Sequence, residues 1–248
     1  MRQVTVQSIE QVTPRVRRIV LGGETLAGFN VSRPGAHIKL LFDTALGKEA
    51  EPKKSGWRMR TYTPRFFNPQ TNELTVEFVL HGSGLASTWA AQAQLGEILT
   101  VAGPGGGMDI PRSLKAMVML IDEAAMPAAG TVLEALPAGC TPIIICEVED
   151  AREQRSLSPS IEVAPTWLFR QPQAASPGVL LKKYLPNVLA SVKDYDDLFW
   201  WVACESNAMR EIRAHLLEQQ GFNKKQLVSR GYWKLGASNH PDHDYGES

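Results

Sequence analysis

Three side chains with different chemistry stand close together in the segment "RTYT", Arg60 to Thr63. The surrounding β-branched and aromatic residues predict a strand, in which Arg60 and Tyr62 point to the same side. A guanidinium can hold a phosphate with two parallel hydrogen bonds, and a phenol ring can stack on a flat heterocycle. The Thr63 backbone or hydroxyl can hydrogen-bond a ring nitrogen. The segment therefore favours a flat, anionic ligand, with a solvated basic strand face as the alternative.

A second segment, "HGSGLASTWA", suits the anionic part of such a ligand. Gly82 and Gly84 precede a predicted helix, and the first N–H groups of a helix bind phosphate readily. Glycine also lets the backbone approach an anion closely, and Ser87 could add a hydroxyl group. A glycine-rich turn is weak evidence alone, but one pyrophosphate could bridge it and Arg60. A flavin dinucleotide combines that pyrophosphate with a flat ring.

Composition narrows the class of protein. The 248 residues suit one large or two ordinary domains, and 44% hydrophobic with 21% charged residues is typical of a globular chain. Because 26 basic residues balance 26 acidic ones, no overall charge favours nucleic acid or a membrane as partner. The three cysteines lack the spacing of a disulfide framework, a zinc site or an iron–sulfur site. Without a visible signal peptide or membrane-length apolar run, the expected location is the cytoplasm.

The first 110 residues predict an antiparallel β-barrel. Short β-branched runs alternate with Gly, Pro and Asn, which is typical of small barrels and sandwiches. We predict six strands, in "QVTVQSIEQV", "RVRRIVLGG", "AHIKLLFD", "RMRTYTPRFF", "ELTVEFVLHG" and "EILTVAGP", and a short helix in "SGLASTWAAQA".

The remainder predicts a Rossmann-like α/β domain over residues 111–238, after a glycine-rich link at 103–113. Continuous apolar runs, "AMVMLID", "TPIIICEVE" and "DDLFWWVAC", suit strands buried on both faces, and "TWLFR" suits a shorter one. Helical patterns separate them, which predicts a mostly parallel sheet. Residues 239–248 read as a flexible tail, in which His240 and His243 are solvated rather than metal ligands.

Several motifs together resemble the siderophore-interacting proteins, which are FAD-containing ferric-siderophore reductases of the wider ferredoxin–NADP reductase-like group. The resemblance runs from about Val4 to Gly236 and rests on "RMRTYTPR", "FVLHGSGLASTWA", "AGPGG", "IDEAAMPAAGTVLEALP" and "SRGYWKLG". The Arg-x-Tyr-Thr element is shared with the wider group. The "GYW" ending and the turn "DEAAMPA" are typical of this family.

The resemblance implies FAD as cofactor and gives the first domain its site. Arg60 would contact the FAD pyrophosphate, Tyr62 would stack on the isoalloxazine ring, and Thr63 would hydrogen-bond near its N5 atom. The strand ending in "FVLH" would follow the pyrimidine edge, with His81 beside the cofactor. The residues at the diphosphate would be Gly84, Ala86 and Ser87.

In the second domain, the resemblance implies that Asp122, Glu123 and Ala124 form the turn where flavin and nicotinamide meet. The family usually has threonine where this chain has Ala124, so a side-chain hydrogen bond is not expected there. Trp233 would either shield the flavin or pack a domain interface.

The implied substrate is a ferric siderophore, which is often an anionic complex. Lys39, Arg58 and Lys234 are the cations predicted near the exposed flavin edge, and the resemblance favours Lys39 and Lys234 as contacts. The alternative for both lysines is an ordinary solvated side chain.

The implied reaction passes electrons from NADH or NADPH through FAD to chelated Fe(III), and it requires no catalytic side chain and no bound metal. A ferredoxin, as a separate protein, is an alternative donor. Two other functions remain open: a flavin reductase with a protein acceptor, and a binding protein without turnover. The choice of nucleotide is also open, because "EVEDAREQR" holds acids for a ribose hydroxyl (Glu147, Glu149, Asp150) and arginines for a 2′-phosphate (Arg152, Arg155).

Overall fold

The structure is a computed structural model that describes residues 1–43, 57–82, 84–237 and 244–246. The chain divides into two compact units, Met1–Asp109 and Ile110–Ser248. The first unit is built on an antiparallel sheet and the second on a parallel sheet with helices, which confirms the predicted fold class.

Seven strands and one α-helix make up the described part of the first unit. They are β1 (Arg2–Thr13), β2 (Val16–Gly22), β3 (Ala36–Asp43), β4 (Trp57–Tyr62), β5 (Phe66–Asn68), β6 (Glu73–Val79), α1 (Leu85–Gln92) and β7 (Ile98–Gly106). The strand order is β4-β3-β7-β1-β2-β6-β5, and neighbouring strands are antiparallel.

Chain connectivity makes this sheet barrel-like. The two outermost strands, β4 and β5, follow one another in the chain, with only residues 63–65 between them. Six interstrand spacings would separate the edges of a flat sheet by about 29 Å. The four residue steps from Tyr62 to Phe66 span at most about 14 Å. The sheet must therefore curl until its two edges approach each other.

The strand count corrects the predicted six strands to seven, and the glycine-rich link begins later than predicted. Pro64 divides the predicted strand "RMRTYTPRFF" into β4 and β5, because proline has no N–H for a ladder and fixes its own φ angle. β7 continues to Gly106, so the first residues of the predicted link pair with β3.

The curled sheet encloses an apolar core. Alternate residues of β6 are completely buried, as period-2 alternation predicts, and they include Leu74, Val76 and Phe78. Ile38 and Leu40 of β3 join the same cluster, as do Leu85 and Ala90 of α1. The helix is therefore held to the barrel by its apolar side.

The described part of the second unit contains five parallel strands. Three of the four connections between them contain an α-helix. Its elements are β8 (Ala116–Asp122), α2 (Met126–Glu134), β9 (Thr141–Val148), β10 (Thr166–Phe169), α3 (Val179–Val192), β11 (Leu198–Glu205), α4 (Ser206–Ala214) and β12 (Leu227–Trp233). Pro127 lies in the first turn of α2, where its missing N–H removes no hydrogen bond of the helix. β12 was not predicted. Within the described ranges, no helix has the length and hydropathy needed to cross a bilayer.

The sheet order of the second unit, β10-β9-β8-β11-β12, is that of a dinucleotide-binding fold. The chain proceeds outward from β8 to β10 and then returns to the other side of β8 with β11. The connectivity therefore reverses between β8 and β11, and ligands of such folds bind at the carboxyl ends of the strands beside this switch point. β8 and β11 are buried along their whole length, and Phe199, Trp200 and Trp201 are core residues, as predicted.

Part of the predicted flexible tail packs against α4 and β12. The histidines His240 and His243 lie outside the described residues, but Asp244 is buried. Its carboxylate accepts hydrogen bonds from Ser206 and, at 2.8 Å, from Arg210. The Gly231 N–H donates to the Asp244 carbonyl. The prediction of a solvated tail is therefore wrong at Asp244, because α4 supplies polar partners that its sequence position does not reveal.

Candidate functional site

Arg60 and Tyr62 lie on the core-facing side of β4. The β3–β4 ladder pairs Arg60 with Leu40 and Tyr62 with Ile38. Directly opposed residues of an antiparallel pair direct their side chains to the same face, and both β3 partners are completely buried. Arg58 lies two positions before Arg60 on β4, so it points to the same side of the strand. Arg58, predicted as a substrate residue, therefore shares a face with the predicted cofactor residues.

Lys39 lies on the opposite face of this strand pair. It is opposed to Thr61, and its Nζ donates a hydrogen bond of 2.7 Å to Thr61 Oγ1. Partial burial lowers the pKa of the Lys39 amine from its ordinary value. The structure thus separates Lys39 from Arg58, although both were predicted near one ligand edge.

A chain of aromatic rings connects β4 to α1. The Tyr62 and Phe78 ring centroids are 4.5 Å apart, and Phe78 is 5.4 Å from Trp89 of α1. Phe42 of β3 contacts the same tryptophan at 5.6 Å. Burial raises the pKa of the Tyr62 hydroxyl above its ordinary range, so this phenol stays neutral. The two segments predicted to hold one ligand are therefore joined through a single core residue, Phe78.

The start of α1 is open to an anion. The first bond within the helix runs from the Thr88 N–H to the Gly84 carbonyl, at 2.9 Å, so the preceding N–H groups have no acceptor within the helix. The N-cap residue is Gly84, which provides no side-chain cap. Ser87 Oγ accepts a hydrogen bond of 3.0 Å from the His81 N–H, which folds the turn back onto the helix. Ala86 and Ser87 are buried immediately behind this turn.

Only glycine fits at position 84. Its φ is +98°, and a Cβ atom there would lie 2.9 Å from Cε1 of His81. At Gly82, which also has a positive φ, a Cβ atom would meet nothing within 4 Å. The turn is therefore crowded at Gly84, where His81 packs, and open at Gly82, where a ligand can approach the backbone.

We expect Gly84→Ala to weaken FAD binding by about tenfold or more and to destabilise the first unit by about 1–2 kcal/mol, because alanine is strained at this φ and displaces His81. Titration of apoprotein with FAD and denaturant unfolding measure the two effects. Gly96→Ala is the matched control, since Gly96 also has a positive φ (+85°) but has open space around it. Gly96→Ala should lower stability alone; equal FAD affinities in the two variants would contradict the role of the turn.

These groups together fit a flavin dinucleotide. A guanidinium fork at Arg60 and an uncapped helix start suit a pyrophosphate, and the Tyr62 ring suits the face of a heterocycle. Thr63 follows Tyr62 and is buried. Arg65, a further cation of this basic segment with no predicted role, stacks on the Phe66 ring at 4.0 Å.

The carboxyl end of the second unit's sheet is organised by Asp122, the last residue of β8. Its Oδ1 accepts hydrogen bonds from the N–H groups of Ala124 at 3.0 Å and Ala125 at 3.3 Å, and its Oδ2 accepts one from Trp233 Nε1 at 2.8 Å. Burial and the charge of Glu123 raise the pKa of Asp122 to about 7, although the Trp233 hydrogen bond opposes the rise. Asp122 and Trp233, predicted separately, are thus direct partners. At Ala124 the backbone N–H forms the contact, and no hydroxyl is needed.

Glu123 is engaged by a buried arginine that the sequence reasoning missed. Arg170 Nη1 donates to Glu123 Oε2 at 3.0 Å, and Arg170 Nη2 donates to the other oxygen. The same guanidinium lies 3.3 Å from carboxylate oxygens of both Glu147 and Glu149. Burial alone would lower the pKa of Arg170, but the hydrogen bond and charge of Glu123 outweigh it and raise this pKa. Only the backbone of Glu123 therefore remains available to a ligand.

Glu147 is a helix cap and not a ribose ligand in this structure. Its side chain is completely buried, and it accepts hydrogen bonds from the N–H groups of Gly178, Leu180 and Leu181 at 2.6–3.2 Å. A carboxylate at the start of α3 is favoured by the helix dipole as well as by these bonds. Its two oxygens have no capacity left for a nucleotide.

Three of the other four residues considered for nucleotide choice are also paired within the chain. Glu149 accepts hydrogen bonds from Arg170 and Gln171, both at 3.3 Å. Asp150 accepts from the Arg152 N–H at 2.9 Å and from its guanidinium at 2.7 Å and 3.1 Å. Neither the acids nor Arg152 thus favours one pyridine nucleotide.

Glu205, at the end of β11, is a further residue that the sequence reasoning missed. Its Oε2 accepts from the N–H groups of Asn207 at 2.8 Å and Ala208 at 3.0 Å, and its Oε1 accepts from the Leu235 N–H at 3.2 Å. An acidic residue between a buried strand and a helix, as in "VACESNAM", is the signal that could have revealed it. Glu205 and Asp122 therefore occupy equivalent positions on the two sides of the switch point.

Comparison with known proteins gives consistent matches for both units. Residues 5–108 match the siderophore-interacting FAD-binding domain, and residues 114–236 match the siderophore-interacting protein family. The NADPH-dependent ferric-chelate reductase of Escherichia coli strain K12 is 30% identical over 245 residues, with 94% of this chain and 92% of that protein covered. Ferric vibriobactin reductase ViuB of Vibrio cholerae serotype O1 is 29% identical, with 94% and 89% covered.

A solved structure extends this similarity to the fold. The crystal structure of a siderophore utilization protein from T. fusca superposes with a TM-score of 0.80 at 32% identity. The match covers 98% of this chain and 95% of that one. The similarity thus includes both units.

Proposed function

The chain belongs to the siderophore-interacting protein family, and on that premise we propose that it is an FAD-dependent ferric-siderophore reductase that uses NADH or NADPH. One structural observation carries the proposal. The Arg60–Tyr62 face of β4 is joined through Phe78 to Trp89 of α1, the helix whose first N–H groups lack a side-chain cap, so groups suited to a phosphate and to a flat ring occur in one unit. A protein that binds no dinucleotide would not need a phosphate-binding group and a ring-stacking group together.

When bound, FAD would supply the redox chemistry, which is exchange between a two-electron donor and one-electron acceptors. The residues of the first unit bind and orient it. Arg60 and the α1 start, including Gly84, Ala86 and Ser87, would hold the pyrophosphate. Tyr62 would cover the ring, and Thr63 would hydrogen-bond its edge. His81 lies beside the cofactor and sets the shape of the turn.

In the second unit, the nicotinamide binds at the switch point between β8 and β11. The backbone of the Asp122–Ala124 turn lines this position, and the Asp122 carboxylate orders the turn through its two N–H contacts. Glu123 contributes through its backbone, because Arg170 occupies its carboxylate. No side chain gains or loses a proton in this scheme.

The overall reaction balances without another reactant. One NAD(P)H supplies two electrons, which reduce two ferric chelates and leave NAD(P)⁺ and one proton. Hard oxygen ligands hold Fe(II) less tightly than Fe(III), so reduction releases the iron. Since the reductant is a pyridine nucleotide, we place the reaction in the cytoplasm.

Anaerobic stopped-flow separates this function from its alternatives. The flavin absorbance near 450 nm is recorded in two steps. It decreases if NADH or NADPH reduces the flavin, and it recovers if an added ferric siderophore or protein acceptor reoxidises it. The proposal expects rapid return with ferric chelates. If neither NADH nor NADPH reduces the flavin but a ferredoxin does, the ferredoxin is the electron donor. A purified protein without bound flavin would instead indicate a binding protein without turnover.

The substrate cations are Lys39 and Lys234, and Arg58 belongs with the cofactor residues because of its strand face. We expect Lys39→Ala to raise the KM for an anionic ferric chelate about two- to fivefold with flavin content unchanged, which is the effect of one partly exposed charge. Steady-state kinetics with chelates of different charge measure this. Lys193→Ala, which removes an exposed charge next to α3, serves as control; an equal KM increase in both variants would exclude a local role for Lys39.

A further inference from the structure

The two acids beside the switch point share one unusual arrangement. Asp122 and Glu205 end the strands β8 and β11, and both are buried. Each uses one carboxylate oxygen for N–H groups at the start of the following helical segment. Each uses its other oxygen for the segment that ends β12. Two separate strand ends thus converge on the same short stretch of chain.

That stretch is Trp233–Leu235, and it carries Lys234 in its middle. The Trp233 indole N–H donates to Asp122 at 2.8 Å, and the Leu235 N–H donates to Glu205 at 3.2 Å. A third bond, from the Ala237 N–H to the Lys234 carbonyl at 3.0 Å, closes a turn immediately afterwards. Contacts on both sides of Lys234 therefore hold its backbone, while its side chain is exposed.

Apolar packing does not explain why this stretch is held. Leu235 is 60% exposed, and residues 234–237 are all exposed. Exposed segments after a terminal strand normally have low local stability. A β-bulge at Tyr232, between the pairs Cys204–Gly231 and Glu205–Trp233, also redirects the end of the strand. The β11–β12 ladder holds the backbone as far as Trp233, and the two buried carboxylates add contacts on both sides of Lys234.

We propose that Asp122 and Glu205 are positioning residues that hold Trp233–Leu235 from both sides and thereby fix Lys234 for an anionic ferric chelate. This inference rests on the proposed function. A lysine whose backbone is fixed before binding loses less conformational freedom when it contacts a charged substrate. The benefit should therefore apply to anionic chelates and not to neutral ones.

The test uses the FAD-loaded protein and two probes of different charge. A ferric tris-catecholate is triply anionic, and a ferric tris-hydroxamate is neutral. The measured quantity is the ratio of the two KM values, in which effects on flavin or nucleotide cancel. Trp233→Phe removes the indole N–H but leaves Asp122 its turn contacts, and Glu205→Gln weakens the second anchor. Each is made alone and combined with Lys234→Ala, and flavin content and circular dichroism verify the fold.

We expect Lys234→Ala to decrease selectivity for the anionic probe about fivefold, and each anchor variant about two- to threefold. In the Lys234→Ala background, the anchor variants should have no further effect, because they act through this lysine. Lys225→Ala, which removes an exposed lysine before the amino end of β12, should leave the ratio unchanged.

Three results would overturn the inference. Anchor effects that persist in full without Lys234, or that are equal for both probes, would mean that the anchors act elsewhere. An unchanged KM ratio in Lys234→Ala would show that Lys234 does not distinguish the two probes, so that Asp122 and Glu205 would have no substrate residue to position. The proposed reductase function would not be affected by that result. Absence of reduction of either probe by the wild type would instead refute the proposed function. If Glu205→Gln does not fold, Trp233→Phe alone decides.

Discussion

Arg170→Ala is expected to lower the free energy of unfolding by about 3–5 kcal/mol, which is the range for removing one partner of a buried ion pair. The guanidinium lies among Glu123, Glu147 and Glu149, and its side chain is 6% exposed. Without it, three carboxylates remain close together with little access to water. Their mutual repulsion and poor solvation are the physical origin of the loss.

Denaturant unfolding followed by circular dichroism measures this effect. Arg152→Ala is the control, because Arg152 also pairs with a carboxylate at 2.7 Å but its side chain is 74% exposed; it should show no measurable change. Arg170→Lys should lie between wild type and alanine, since a lysine keeps the charge but cannot form the fork to Glu123. Equal midpoints for Arg170→Ala and wild type would show that the cluster is not stabilising.

Arg60→Ala is expected to weaken FAD binding about 10- to 100-fold, since a hydrogen bond to a charged group contributes about 1.5–3 kcal/mol. Arg60 shares the face of β4 that carries Tyr62, and Tyr62 is joined through Phe78 to Trp89 of α1. In the proposed site, the Arg60 guanidinium and the N–H groups at the start of α1 bind the same pyrophosphate. Loss of the cation leaves the helix N–H groups as the main anion contacts.

The measurement is a titration of apoprotein with FAD, together with the ratio of flavin to protein after purification. Arg60→Lys should retain part of the affinity, because it restores the charge without the bidentate geometry. Lys115→Ala removes one exposed positive charge from the second unit and should bind FAD as the wild type does. Wild-type affinity in Arg60→Ala would refute the phosphate role.

Much of the fold could be predicted, because it follows from local patterns. Short β-branched runs in the first 110 residues and continuous apolar runs in β8 and β11 indicated the two kinds of sheet. The errors came from features that act against the pattern. Pro64 interrupts a run whose composition is otherwise that of one strand, and β12 is polar enough to read as a loop until β11 provides its ladder.

The candidate site could be predicted only in part. Residue types indicated which side chains can bind phosphate or stack on a ring, but they could not indicate which acids remain free. Glu147 was a candidate for ribose binding, yet the start of α3 and Arg170 take up its carboxylate. Lys39 and Arg58 were grouped by charge, yet strand register places them on opposite faces.

Local patterns were enough to predict the two fold units, the glycine-flanked helix start and the "RTYT" strand, because these depend on interactions between near neighbours and on backbone preferences. The partners of the buried charges became known only from the folded chain. Arg170 and Glu123 are 47 positions apart, and Trp233 and Asp122 are 111 apart. The physical reason is that a buried ionic or hydrogen-bonded group is stabilised by whichever donors the strand order brings beside it, and strand order is a property of the folded sheet.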